Sequence, residues 1–325
     1  MGSESDQMVK SLPLQTLFNS HLVMVTGKGG TGKSSLASAI GSMSAAHGRR
    51  TIVAEVDSFQ PALERTLGAE PSFAPREIRK NLYVTNITWR DALNDWLKNT
   101  IAAEKIVRMI LKNRVVQLFL DATPGVRETV ILSRICALAD EYDQVVVDMP
   151  ASGHALAILR VPHIATSLLK GGPIRERSEQ IISLLGDSAT SMCIVGLPEE
   201  MVVNETIELW GKLKSQNPEL GDPLLFLNRS SMPSSTMEEK QLLLDLSNAT
   251  DLNAEEEELL LAGRREERLE ESTAEALSRL EEAVNCSIIN LPRLGALGGL
   301  PPGSIRITEQ MQTALERERA RERSS

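Results

Sequence analysis

Residues Gly27-Lys28-Gly29-Gly30-Thr31-Gly32-Lys33-Ser34 are rich in glycine and end in a lysine and a hydroxyl. They fit the pattern G-x-x-x-x-G-K-[ST] of a phosphate-binding loop. Glycine at these positions lets successive backbone N–H groups turn inward around an anion. A helix starting at the end of the loop adds its positive N-terminal end. Lys33 is placed to reach β- and γ-phosphates, and the Ser34 hydroxyl to face Mg2+. The expected nucleotide cradle is therefore Gly27, Gly29, Gly30, Thr31, Gly32, Lys33, Ser34 and, one step into the helix, Ser35. The apolar run 22–25 before the loop reads as a buried strand, and the small residues of 36–43 are compatible with a helix.

That junction calls for a sheet. Further strand candidates recur at 51–57, 82–88, 144–148, 192–197, 224–228 and 287–291, mostly separated by helical segments. Continuous apolar strands between helices predict an α/β fold, a mostly parallel doubly wound sheet with helices on both faces. Between 89 and 140 the pattern is helical, with a break at Pro124-Gly125, and a second helical patch runs over 164–185 around Gly171-Gly172-Pro173. We expect these patches, about 89–140 and 163–187, to form an inserted helical subdomain. The domain reading is an arm over 1–20, a P-loop domain over 21–307 and a charged tail over 308–325. Residues 237–280 read as a solvated, charge-laced helical stretch. In the tail, alternating Arg and Glu leave no apolar face, which speaks against a membrane-targeting amphipathic helix.

Composition narrows the function classes. The 325 residues are 42% hydrophobic and 24% charged, enough for one large or two small domains, and with 3% aromatics the core must be aliphatic. A net charge of −9 argues against broad nucleic-acid binding and against simple docking on anionic lipid. Cys136, Cys193 and Cys286 form no C-x-x-C pair, so they read as small core residues, and with no leader apparent they suit a reducing cytoplasm. No apolar run approaches the ~18 residues that span a bilayer. Partner calls are therefore no nucleic acid and no integral membrane segment, with peripheral membrane association through a partner left open.

A phosphate loop needs acidic residues at neighbouring strand ends. Thr51-Ile52-Val53-Ala54-Glu55-Val56-Asp57 ends in carboxylates. Asp57, nearer the mouth than Glu55, is the candidate to hold the attacking water and to stand near the metal; the alternative is a carboxylate capping the next loop. Val145-Val146-Val147-Asp148 fits a strand delivering a hard oxygen ligand towards Mg2+. The metal candidates are Ser34, Asp57 and Asp148.

The form G-K-G-G-x-G-K-[ST], with its second lysine Lys28, resembles the deviant Walker A loop of a class of dimeric ATPases that includes ParA, MinD and ArsA. The resemblance implies that Lys28 reaches across a dimer interface to the partner's nucleotide; read without it, Lys28 is also compatible with a solvated loop cation. Asp148-Met149-Pro150-Ala151-Ser152-Gly153-His154 through Pro162 resembles the switch II of ArsA and the tail-anchored-protein targeting ATPases, matching at Asp148, Gly153, His154, Leu156, Leu159 and Pro162. In that light Gly153 and His154 are switch residues. Pro124-Gly125 with Glu128, Pro198-Glu199 with Asn204-Glu205-Thr206, and Leu227-Asn228 extend the resemblance, which covers about 22–307. It implies that Asn228 reads the adenine edge and that Pro292 and Arg293 belong to a loop over the base. Asn228 otherwise reads as a strand-end turn residue.

Departures are Ser58, where the family has proline after the switch I aspartate, and Met149, Pro150 and Ala151 in switch II. The single loop and lack of a close cysteine pair look closest to single-domain bacterial ArsA-like ATPases. The resemblance implies an ATPase using ATP and Mg2+, in which Lys28, Lys33 and Asp57 act in catalysis. It would be a homodimer, or a heterodimer with a paralogue, coupling nucleotide state to a client or partner protein. Trp96, Met109, Leu118 and Phe119 either line a groove for a hydrophobic helix or are core. The alternatives are a ParA/MinD-like positioning ATPase and a slow or degenerate ATPase subunit paired with a paralogue.

Overall fold

The computed structural model describes residues 13–57, 61–101, 103, 105, 107, 109, 112–123, 125–231, 237–248, 252–294 and 305–324. Their strands are β1 (Leu22–Gly27), β2 (Thr51–Val56), β3 (Arg76–Arg79), β4 (Leu82–Ile87), β5 (Gln144–Asp148), β6 (Thr190–Gly196), β7 (Leu224–Ser230) and β8 (Ile288–Pro292). They form one sheet in the order β3-β4-β2-β5-β1-β6-β7-β8. All neighbours are parallel except β3 and β4. The register pairs Val25 of β1 with Asp148 of β5, and Glu55 of β2 with the same Asp148. Gly27, Val56 and Asp148 thus all end at one edge of the sheet, where ligands of open α/β sheets bind.

The helices are α1 (Pro13–Asn19), α2 (Lys33–Ala46), α3 (Ala62–Leu67), α4 (Trp89–Thr100), α5 (Arg114–Ala122), α6 (Val126–Glu141), α7 (Ser152–Leu168), α8 (Pro173–Leu185), α9 (Glu200–Gln216), α10 (Met237–Asn248), α11 (Ala254–Ala283) and α12 (Ile305–Ser324). Strand alternation decides which helix lies where. Leu22, Met24, Ile52, Ala54, Val145 and Val147 face a core shared with α4, α6, α7 and α8. Val23, Val25, Val53 and Val146 face the opposite side, covered by α1, α2, α3 and α12. A smaller cluster joins β7 to α9 and α11 through Leu225, Leu227, Val203 and Leu280. The mostly parallel, doubly covered sheet expected from the sequence is what forms.

The two helical patches pack on one another and share the apolar cluster of one sheet face. Within them α4 is set by Thr88, whose hydroxyl accepts from the Asp91 N–H at 3.3 Å as an N-cap. The charged stretch 237–280 holds two helices, and α11 starts at a capping box between Asn253 and Glu256. Strand β3 was not expected. Its Arg-Glu-Ile-Arg sequence has little apolar character, and it forms by antiparallel pairing to β4 at a charged outer edge.

The tail needs a correction. Its charges do not leave it without an apolar face: Thr308, Met311, Ala314 and Leu315 of α12 are buried at helical spacing. They pack over α2 and α3, and the Arg319 guanidinium lies 4.8 Å from the Phe18 ring centroid of α1. One narrow stripe between arginines and glutamates suffices, because α2 offers small residues to close against. Removing the fully buried Leu315 side chain should therefore cost about 2–4 kcal/mol in urea unfolding, while Glu309→Ala on the exposed side should stay within about 0.5 kcal/mol. Equal effects of Leu315→Ala and Glu309→Ala would mean that α12 does not dock.

Candidate nucleotide site

The loop between β1 and α2 is shaped by backbone conformation. Gly27 has φ 144° and lies against β6; a Cβ there would sit 2.3 Å from the Val195 carbonyl oxygen. Gly32, with φ 100°, is the N-cap of α2. The loop closes on itself through the Lys28 carbonyl, which accepts from the Thr31 hydroxyl at 2.9 Å and from Lys33 Nζ at 3.1 Å. Burial lowers the pKa of Lys33, while Asp148 and Glu205 act to raise it. Ser35 is buried in the first turn of α2.

Ser34 and Asp148 meet at the mouth of the loop. The Ser34 hydroxyl donates to Asp148 Oδ2 at 2.5 Å. Burial pushes the Asp148 carboxyl up to about 7; the Ser34 hydrogen bond and Lys33 pull it down, and the nearby Glu55 charge pushes it up. Its Oδ1 is buried and has no hydrogen-bond partner among the described residues. A hydroxyl beside a carboxylate with an orphaned oxygen is a donor set that fits a hard divalent cation. Such a cation would reverse the effect of burial on the carboxylate.

Asp57 stands apart from that pair. It follows β2 with φ 49°, an uncommon region for a non-glycine residue. Its N–H donates to the Ile87 carbonyl at 3.0 Å, and its Oδ1 accepts from the Trp89 N–H at 3.5 Å, at the start of α4. Glu55, its competitor in the sequence, is buried and accepts from the Ala62 and Leu63 N–H groups at 2.7 and 3.5 Å, so it caps α3.

Lys28 is held within its own chain. Its Nζ lies 3.0 Å from Glu205 Oε2 on α9, and Glu205 Oε1 accepts from the Ser152 hydroxyl at 2.7 Å. The Ser152 hydrogen bond, then Lys28, holds the Glu205 carboxyl below the usual range. A chain of three side chains therefore ties the loop lysine to α9 and to the first residue of α7. Glu205 was not among the expected site residues; the signal for it was the acidic residue in the Asn204-Glu205-Thr206 match. Gly153 and His154 sit exposed in the first turn of α7.

Asn228 is tied to the loop. Its Nδ2 donates to the Thr31 carbonyl at 2.7 Å and its Oδ1 accepts from the Arg229 N–H at 2.9 Å. Arg229, with φ 59°, reaches the Gly30 carbonyl at 3.2 Å. Pro292 ends β8, and the Arg293 N–H donates to the Ser230 carbonyl at 3.2 Å. The structure thus gathers Lys28, Lys33, Ser34, Asp148 and Asn228 around one loop, puts Asp57 at the start of α4, and leaves Pro292 and Arg293 on the neighbouring β7–β8 edge. Ser58 lies outside the described residues.

The ATPase BagA of Mycobacterium tuberculosis is 28% identical over 221 residues, which take in 64% of this chain and 65% of that protein, so the chain spans a little under two thirds of its relative. An ASNA1 homolog of Paramecium tetraurelia is 24% identical over 157 residues, 44% of each chain. The sequence profile of the anion-transporting ATPases matches residues 20–183, which contain the loop, Asp57, Asp148 and the start of α7. This chain belongs to the ArsA-type anion-transporting ATPase family.

Proposed function

We propose that the chain is an ATP-hydrolysing switch that works as a dimer and passes its nucleotide state to a client or partner protein. The observation that carries this reading is the Ser34–Asp148 hydrogen bond, which joins the loop hydroxyl to the carboxylate of the adjacent strand. The N–H groups of the glycine loop and the start of α2 bind the phosphates, and Lys33 neutralises the β- and γ-phosphate oxygens. Ser34 and Asp148 would hold Mg2+, which when bound offsets charge on the same oxygens. Asp57 holds a water in line with the γ-phosphorus. The water's oxygen bonds to phosphorus as the bond to the β,γ-bridging oxygen breaks, the water's proton passes to a phosphate oxygen, and ADP and phosphate leave. Asn228 orients the loop, and with Pro292 and Arg293 it borders the base.

The switch is built on residues already in contact. Lys28 must leave Glu205 to reach the partner's nucleotide, and Glu205 also holds Ser152. Dimer formation would thus be felt at α7, whose Gly153 and His154 face the γ-phosphate side, and loss of the γ-phosphate would be felt at α4 through Asp57. The helices α4 to α8 are the surface on which a partner would read the state. Met109 and Leu118 are exposed there, whereas Trp96 packs against the core; the Phe119 side chain lies outside the described residues. No helix among the described residues is long and apolar enough to cross a membrane, and we assign the chain to the cytoplasm, where its three free cysteines are at home.

Two experiments test this. Calorimetry with ATP and Mg2+ should show binding by the wild type and at least about tenfold weaker binding by Lys33→Ala; Asp57→Asn should bind ATP normally yet turn over at least about 100-fold more slowly. Wild-type turnover by Asp57→Asn would remove Asp57 from the water-holding role. Second, an exposed ion pair is worth about 0.2–1 kcal/mol, so releasing Lys28 by Glu205→Gln should tighten an ATP-dependent dimer severalfold in sedimentation, while Lys28→Ala should remain monomeric. A weaker dimer for Glu205→Gln would show that Glu205 supports the interface instead of restraining the lysine.

A further inference from the structure

A cavity of about 710 Å3 opens between the starts of α4 and α6 and the middle of α7. Trp89 and Ile164 are among its apolar walls. Arg90, Arg127 and Arg160 also line it, against a single carboxylate, Glu128, among the described lining residues. Three guanidinium groups around one opening are notable in a chain with net charge −9. Arg90 and Arg127 lie 5.4 and 5.1 Å from the Trp89 ring centroid, so the indole face supports both. Among the described residues no carboxylate pairs with Arg127 or Arg160. The apolar wall continues out of the cavity along α7, where Ile164 and Leu168, one turn apart, are both exposed.

Both sides of the cavity are wired to the nucleotide site. The Trp89 N–H donates to Asp57, and Arg160 stands on α7, whose first residue, Ser152, is bonded to Glu205. A ligand held between Trp89 and Arg160 therefore bridges the two segments that sense the γ-phosphate.

We propose that this cavity is the docking point of an acidic amphipathic partner helix. An apolar side chain enters against Trp89 and Ile164, its next turn lies along Leu168, and flanking carboxylates are taken by the guanidinium forks of Arg127 and Arg160. This deepens the reading of the chain as a nucleotide switch with a protein partner, and rests on it for the coupling. The charge of the lining separates such a partner from a purely apolar segment, which has nothing to offer Arg127 and Arg160.

The test is a fluorescence titration of the full chain, with ADP and with ATP plus Mg2+, against three designed amphipathic peptides: leucine–glutamate, leucine–glutamine and leucine–lysine. The glutamate peptide should bind, with affinity falling as salt rises. Binding should weaken at least about tenfold for the glutamine peptide, for Arg127→Ala and for Arg160→Ala, and Arg160→Lys should recover only part of it. Equal binding of the glutamate and glutamine peptides, indifference to the arginine substitutions, or no binding of the glutamate peptide in either nucleotide state would overturn the proposal. So would tight saturation by citrate that displaces the peptide, which would make the cavity a small-anion site. Calorimetry of ATP on the same preparations keeps the two readings apart. Nucleotide binding without peptide binding removes the docking site alone, and absent nucleotide binding removes the ATPase reading while the peptide titration still decides the cavity.

Discussion

A loop can offer its main-chain N–H groups to a phosphate only if the strand beneath it and both neighbours stop at the same level. Here β1 and its parallel neighbours β5 and β6 meet that condition, with Val25 paired to Asp148 and Gly27 to Val195. The contact of Gly27 with the Val195 carbonyl fixes the other side so tightly that no side chain fits. From this one alignment follow the position of Ser34 beside Asp148, the turn into α2, and the bracing of the loop by Asn228 from β7.

The same edge concentrates costly groups. Asp148 is buried with one oxygen unpartnered among the described residues, and Lys33 is held where burial works against its charge. Neither arrangement favours the bare protein, since an unpaired buried oxygen and a desolvated charge are both destabilising. Stability is drawn instead from the two aliphatic layers of the sheet, where alternation along β1, β2 and β5 supplies both faces. Asp57, in a left-handed backbone state, adds a local cost at a residue proposed to act in hydrolysis.

Much of this was legible in the sequence, and the reasons for the rest are physical. The loop, the Asp148 strand and the buried parallel strands announce themselves because each packs many apolar or glycine residues into a few positions. Strand β3 does not, because an edge strand is held by one neighbour's backbone and can be nearly all charge. Helix α12 hid its four inward residues among arginines and glutamates, where period counts for more than composition. Glu205 and the arginine cavity are products of folding: α9 brings Glu205 to Lys28, and Arg90, Arg127 and Arg160 come together only when three helices cross.

The seating of α12 over α2 has a consequence for how the chain matures. The strand and helix flanking the phosphate loop are made long before residues 305–324, and one side of that unit stays uncovered until those residues have emerged. A nascent chain stalled before that point would display the outer surface of α2 to the translation machinery's surroundings. Chaperone engagement should therefore last at least until residues 305–324 have been made.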